Sequence, residues 1–250
     1  MPTPGGWQCL SRALWAALLL LLVLPGPIRA AENDRAGERE AMLETIEAHA
    51  AAAGALGTAM IEPRVLEALR RVRRHLFVPP EQQAYAYEDR PLSIGHGQTI
   101  SQPFIVALMT DLLDVQIDDK VLEVGTGSGY QAAVLAELAS QVYTIEIIPD
   151  LAQSAGERLA RLYRNVEARA GDGYYGWPEA APFDSIVVTA AASHIPPPLV
   201  QQLKPGGRMA IPVGSRFSVQ QLVLVEKDEA GRMTTRQLLP VAFVPLTGGG

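Results

Sequence analysis

The chain has 250 residues, nearly half of them apolar, enough for one large domain with a substantial core. Its formal net charge is −6, and its one basic cluster, Arg70, Arg71, Arg73 and Arg74, reads as a solvated helix face, so nucleic acid is excluded as the main partner. The sole cysteine, Cys9, lies near the start, which leaves the body of the chain without a disulfide, a thiolate nucleophile or a cysteine metal site.

In chain order, Arg12 precedes the apolar run ALWAALLLLLVL (13–24) and then PGPIRAA. A basic residue, a short apolar run, a helix breaker and small residues make up the anatomy of a secretory signal. The run is too short for a permanent membrane anchor. Cleavage after Ala30 or Ala31 is expected, and residues 1–30 are set aside from the fold. Export to the periplasm or beyond follows; the alternative is translation from Met42 and a cytoplasmic protein. Residues 32–60 are charged and Ala-rich and turn into a helix. PRVLEALRRV, opened by Pro63, is a second helix with Val65, Leu66, Leu69 and Val72 on one face, ended by HLFVPP. Residues 81–100 read as irregular, and Gln102–Leu113 as a helix with the stripe Ile105, Leu108, Met109 and Leu112.

From there strands and helices alternate. VLEVG (121–125), VYTIEI (142–147), VEARAGD (166–172) and FDSIVVTA (183–190) read as strands. GYQAAVLAELA (129–139), PDLAQSAGERLARLY (149–163) and PPLVQQL (197–203) read as helices. KPGGRMAIPVG is a turn and a strand, and two further strand-like runs, around VQQLVLVEK and LLPVAFVPL, close the chain. This alternation predicts an α/β domain over residues 31–250 with a doubly wound, mostly parallel sheet in 101–250. The last two runs, with no helix between them, predict an antiparallel edge. Residues 31–100 form a helical and irregular N-terminal extension.

The turn Gly125-Thr126-Gly127-Ser128-Gly129 follows a strand and opens a helix, the context in which glycines let backbone approach a ligand. A nicotinamide dinucleotide fits poorly. Its fingerprint is G-x-G-x-x-G, whereas Tyr130 stands after the third glycine here, and Glu123 would repel a pyrophosphate from within an apolar strand. Glu146, ending the second strand, suits a ribose in either cofactor. S-adenosylmethionine meets these constraints: it offers a ribose to Glu146, an ammonium and a sulfonium to an acidic environment, and no phosphate. The scattered histidines 49, 75, 96 and 194 show no metal-ligand spacing, and no metal is expected.

Beyond single motifs, the pieces RHLFVP, GQTISQP, LEVGTGSGYQAAVLAEL, GDGYYGWPEAAPFDSIVVTAAA, LKPGGRMAIPVG and VAFVPLT resemble the protein-L-isoaspartate (D-aspartate) O-methyltransferase family from about residue 40 to Thr247. The resemblance implies a Rossmann-like class I methyltransferase fold. It also implies methyl transfer from S-adenosylmethionine, leaving S-adenosylhomocysteine, to the free carboxylate of L-isoaspartyl and D-aspartyl residues in damaged proteins and peptides. Spontaneous succinimide closure then starts repair. By the same resemblance Ser101 is the active-site residue, although as a pattern it also reads as the N-cap of the helix at Pro103. Gln98, Thr99 and Ile100 enclose the substrate. Glu123, Gly125, Gly127, Glu146, Asp172 and Gly173 bind the cofactor. Thr247 matches only some members and is assigned no role. A same-fold methyltransferase for another carboxylate, an NAD-dependent oxidoreductase and a non-catalytic binding relative are the competing readings.

Overall fold

The computed structural model describes residues 35–54, 60–215 and 218–249; the signal-like segment lies outside them. Helix α1 (Ala36–Ala53) buries Met42, Leu43, Ile46 and Ala50, a one-face spacing, and packs on α2 (Pro63–Arg71) and α3 (Pro103–Leu113). Proline opens both α2 and α3, where its missing N–H leaves no helical bond unmade. After α2 a 3₁₀ turn spans Arg74–Phe77. The expected solvated arginine face holds only for part of the cluster. Arg70, half-buried, and Arg71, exposed, are paired with Glu40 and Glu67, whereas Arg74 is completely buried, because the chain leaves the helix at Val72 and turns inward.

Residues 81–100 are more ordered than the sequence suggests. A 3₁₀ turn (Pro80–Tyr85) leads to a hairpin of β1 (Leu92–Gly95) and β2 (Gln98–Ile100). Its two loop residues, His96 and Gly97, have φ of 53° and 71°, as a type I′ hairpin turn requires. Strands of three and four residues rich in Gly, Ser and Gln carry no alternating hydrophobic pattern, so the pairing is invisible in the sequence.

The main sheet has the order β5-β4-β3-β6-β7-β8-β9. Its members are β3 (Lys120–Val124), β4 (Gln141–Glu146), β5 (Val166–Ala170), β6 (Phe183–Val188), β7 (Leu203–Val213), β8 (Gln220–Lys227) and β9 (Met233–Val241). β5 through β7 run parallel, while β8 and β9 add antiparallel, as expected. The final strand lies earlier than LLPVAFVPL suggests: β9 starts at Met233, and the run after Val241 leaves β8 to bridge Ala191 through Pro245. Helices α4 (Tyr130–Ala136), α5 (Pro149–Leu162) and α6 (Pro197–Gln202) connect the strands. Along β3, Val121 faces the core shared with α1 to α5, and Leu122 and Val124 face the core shared with α6 and Trp177. Both faces are thus covered, and chain order reverses at β3. The crevice beyond the carboxyl ends of β3 and β6 is where such sheets bind ligands.

Candidate active site

The crevice is built on the loop that follows β3. Gly125 has φ of 96°, and a Cβ there would sit 2.5 Å from Oγ1 of Thr189, just past β6. That hydroxyl donates to the carbonyl of Gly125 at 2.6 Å, so the loop and the end of β6 are fastened at a point only glycine fits. Gly173 is equally constrained: a Cβ would meet Val124 Cγ1 at 2.4 Å.

Two carboxyl groups flank this loop. Glu146 ends β4; its oxygens accept the peptide N–H groups of Gly127 (2.8 Å) and Ile148 (3.0 Å) and so fix the loop's shape. Glu123 alternates with Leu122 and Val124 and therefore shares the face of Val121, toward α4. It is completely buried. Oε2 accepts the Thr144 hydroxyl at 2.5 Å, whereas Oε1 has no hydrogen-bond partner among the described residues. Burial, opposed by Thr144 and reinforced by the nearby Glu146 carboxylate, pushes the Glu123 carboxyl up to about 8. Its protonated form is therefore favoured near neutral pH in the absence of a nearby cation. An orphaned buried carboxyl oxygen beside a small-residue loop fits a ligand carrying an ammonium group.

Asp172 sits past β5. Its Oδ1 caps the 3₁₀ turn by accepting from Tyr174 N (2.9 Å), and its Oδ2 accepts from Gly249 N (2.8 Å).

The β1–β2 hairpin lies over the glycine loop, with Ile94 against Gly127. It brings Gln98, Thr99, Ile100 and Ser101 to the crevice. Three spaces meet there. One cleft runs between Gly125, Gly127, Glu146, Gly173 and the tail residues Leu246 and Thr247. A second reaches Glu123, Ser128 and Gln131. A cavity of about 770 Å³ opens on the other side, walled by His49 and Ala53 of α1, by Phe104 and Ile105, and by residues 239–244. Thr99 and Thr189 line all three spaces, and Ser101 lines both the cavity and the second cleft. Among the described residues no lysine or arginine lines any of them. A pyrophosphate would find two carboxyl groups and no cation there, which disfavours the dinucleotide reading.

The Ser101 hydroxyl has no hydrogen-bond partner among the described residues, and the N-terminus of α3 is not capped by Ser101 or by its N-cap residue, Gln102. Asp89 does that work from a distance. Its Oδ1 accepts Phe104 N at 2.7 Å, and its Oδ2 accepts the Gln102 amide at 2.9 Å and pairs with His49 Nδ1 at 2.5 Å.

Comparison with known proteins decides the family. Residues 55–250 match the family model described as Protein-L-isoaspartate(D-aspartate) O-methyltransferase. The chain is 62% identical over 239 residues to "Protein-L-isoaspartate O-methyltransferase 2" of Syntrophobacter fumaroxidans, covering 95% of this chain and 97% of that one. It is 62% identical over 231 residues to "Protein-L-isoaspartate O-methyltransferase 1" of Cupriavidus necator, covering 92% and 89%. The chain belongs to the protein-L-isoaspartate O-methyltransferase family.

Solved structures agree. One protein-L-isoaspartate O-methyltransferase superposes with a TM-score of 0.73 at 28% identity, covering 84% of this chain and 66% of that one. Another, from Plasmodium falciparum in complex with S-adenosyl-L-homocysteine, gives 0.70 at 25% identity, covering 84% and 98%. The fold expectation therefore holds for this methyltransferase: a Rossmann-like, mostly parallel sheet with an antiparallel edge.

Every residue given a catalytic, cofactor or substrate role from the sequence except Asp172 lines one or more of the three spaces, and Asp172 adjoins Gly173, which does. Thr189, Asp89, His49 and Arg74 were not identified as site residues. Thr189 is the penultimate residue of the run FDSIVVTA, and Arg74 opens RHLFVP, so family resemblance was the available signal for both. Among the described residues no group of three His, Cys, Asp or Glu side chains could hold a metal ion.

Proposed function

We infer that this protein methylates the free carboxylate of isoaspartyl residues in damaged proteins and peptides, with S-adenosylmethionine as methyl donor, and so starts their repair. The observation that carries the site assignment is the junction at Thr99, Ser101 and Thr189. There a cavity large enough for a peptide segment meets two clefts that carry the buried carboxyl groups. Glu123 would hold the ammonium end of the donor, Glu146 its ribose, and Gly125, Gly127 and Gly173 would allow close backbone approach. Asp172 is assigned to the adenine end, beside Gly173. When bound, S-adenosylmethionine supplies an electrophilic methyl on a sulfonium, which an ionised carboxylate can accept without any proton transfer. The chain's residues therefore need no general base. Ser101 orients the substrate carboxylate through its free hydroxyl, and Gln98, Thr99 and Ile100 exclude water from the junction.

A domain spanning residues 31–250 carries this activity, preceded by a signal that exports it. Among the described residues no helix is long and apolar enough to cross a membrane.

The test follows an isoaspartyl peptide through reaction with the purified enzyme and S-adenosylmethionine by mass spectrometry. A methyl ester should appear, decay to succinimide and yield some normal aspartyl peptide. Absence of the ester would refute the reading.

A further inference from the structure

Arg74 is completely buried, and no carboxylate among the described residues lies within ion-pair distance of it. Burying a guanidinium that has no ion-pair partner is unfavourable, and a side chain needed only for packing would be apolar. Burial pulls Arg74 down to about 10, an effect partly offset by Tyr130 and Asp89, so it stays charged at neutral pH. Two of its three nitrogens hold backbone carbonyls: Nε donates to Ala86 O at 2.8 Å and Nη2 to Ser101 O at 2.8 Å, while Nη1 has no hydrogen-bond partner among the described residues. Its guanidinium carbon stands 4.8 Å from the ring centroid of Tyr130, the first residue of α4 after the glycine loop.

The two carbonyls bracket residues 87–100, the segment that carries Asp89 and the β1–β2 hairpin. One planar fork thus ties both ends of that segment to each other and against the helix that opens from the glycine loop. A rigid fork spans two acceptors at a fixed angle, which the single ammonium of a lysine does not.

We propose that Arg74 is a positioning residue for methyl transfer, holding the backbone of Ser101 so that its hydroxyl faces the junction of the cavity and the clefts. This inference rests on the role assigned to Ser101 above. Placement errors of about 1 Å can lower a rate by about a hundredfold, so the bond to Ser101 O is where loss of Arg74 is felt in catalysis.

A double-mutant cycle on turnover of an isoaspartyl peptide tests the proposal, using wild type, Arg74→Gln, Ser101→Ala and the double variant, each assayed below its melting transition. Arg74→Gln should lower kcat at least tenfold while the dissociation constant of S-adenosylhomocysteine stays within about twofold. Arg74→Lys should recover part of the loss. In the Ser101→Ala background, Arg74→Gln should cause little further loss, because the hydroxyl it positions is gone. Equal fold-losses in both backgrounds, or normal turnover with only a lower melting temperature, would overturn the proposal. If Arg74→Gln does not fold, Arg74→Lys goes through the same cycle and decides by the same non-additivity. A wild type inactive on isoaspartyl peptides would count against the proposed function instead, and a Ser101→Ala variant with full turnover against the role of Ser101.

Discussion

Glu123 is an acid inside the apolar strand VLEVG, and one of its buried carboxyl oxygens has no partner among the described residues. Its folded-state pKa of about 8 lies above its unfolded value, so the folded protein binds the proton more tightly and stability falls as pH rises between the two values. Glu123→Gln should therefore raise the stability of the ligand-free protein near pH 8, by roughly 1–3 kcal/mol in chemical denaturation, while weakening the binding of S-adenosylhomocysteine. A ligand ammonium beside Oε1 favours the ionised form. Binding to the wild type at neutral pH should then release most of one proton, read by calorimetry in buffers of different ionisation enthalpy. Buffer-independent heats would show that no cation meets Glu123. Ser101 supplies a second prediction at this scale. Because its hydroxyl caps nothing, Ser101→Ala should leave the melting temperature unchanged and lower kcat at least tenfold. A lower melting temperature with normal turnover would restore the capping role.

At the scale of elements, the least legible parts are those fixed by bonds between distant segments. Asp89 lies in a stretch, YEDRPLS, with no periodicity. Yet its carboxylate caps α3, holds Gln102 and pairs with His49 of α1, joining a loop to two helices. Helix α3 itself was legible from its stripe and its opening proline, but the residue that caps it was not, since it comes from 15 positions upstream. Asp89→Ala should destabilise the protein by about 2–3 kcal/mol, the sum of a lost cap and its companion bonds. Equilibrium denaturation checks this, and an unchanged midpoint would mean the cap is redundant. The β1–β2 hairpin escaped for a different reason: its strands are too short for a two-residue hydrophobic period, and its turn is signalled only by His96-Gly97. The central parallel strands β3 and β6, buried and read as apolar runs, were placed to within a few residues, and so was the half-exposed edge strand β5, from its place in the strand–helix alternation. The last strand slipped because VAFVPL is apolar for another purpose, lining the cavity and bridging Ala191.

For the whole molecule, the alternation of strands and helices was enough to give the doubly wound sheet, and the crevice at its switch point gave the site. The substrate was not legible in periodicity; it came from GQTISQP joined to the glycine turn, and the family match over residues 55–250 agrees. Location rests on residues 1–31, read as an export signal. Translation from Met42 would delete the first six residues of α1, including Glu40, which accepts from Arg70, and would make a buried residue the chain start. N-terminal sequencing of the native protein after cell fractionation should therefore find a first residue near Ala31 or Glu32 outside the cytosol. Met42 as the first residue of a cytosolic protein would contradict export. The claim on which the rest depends is the choice of carboxylate. An isoaspartyl linkage and its aspartyl twin have the same atoms and charge, and only the path of the backbone past the junction of Thr99, Ser101 and Thr189 can separate them. Initial rates of methyl transfer to the two peptides, measured side by side, test this most directly. Transfer to the isoaspartyl peptide with no measurable transfer to its twin is expected, and equal rates on both would contradict selection at this junction.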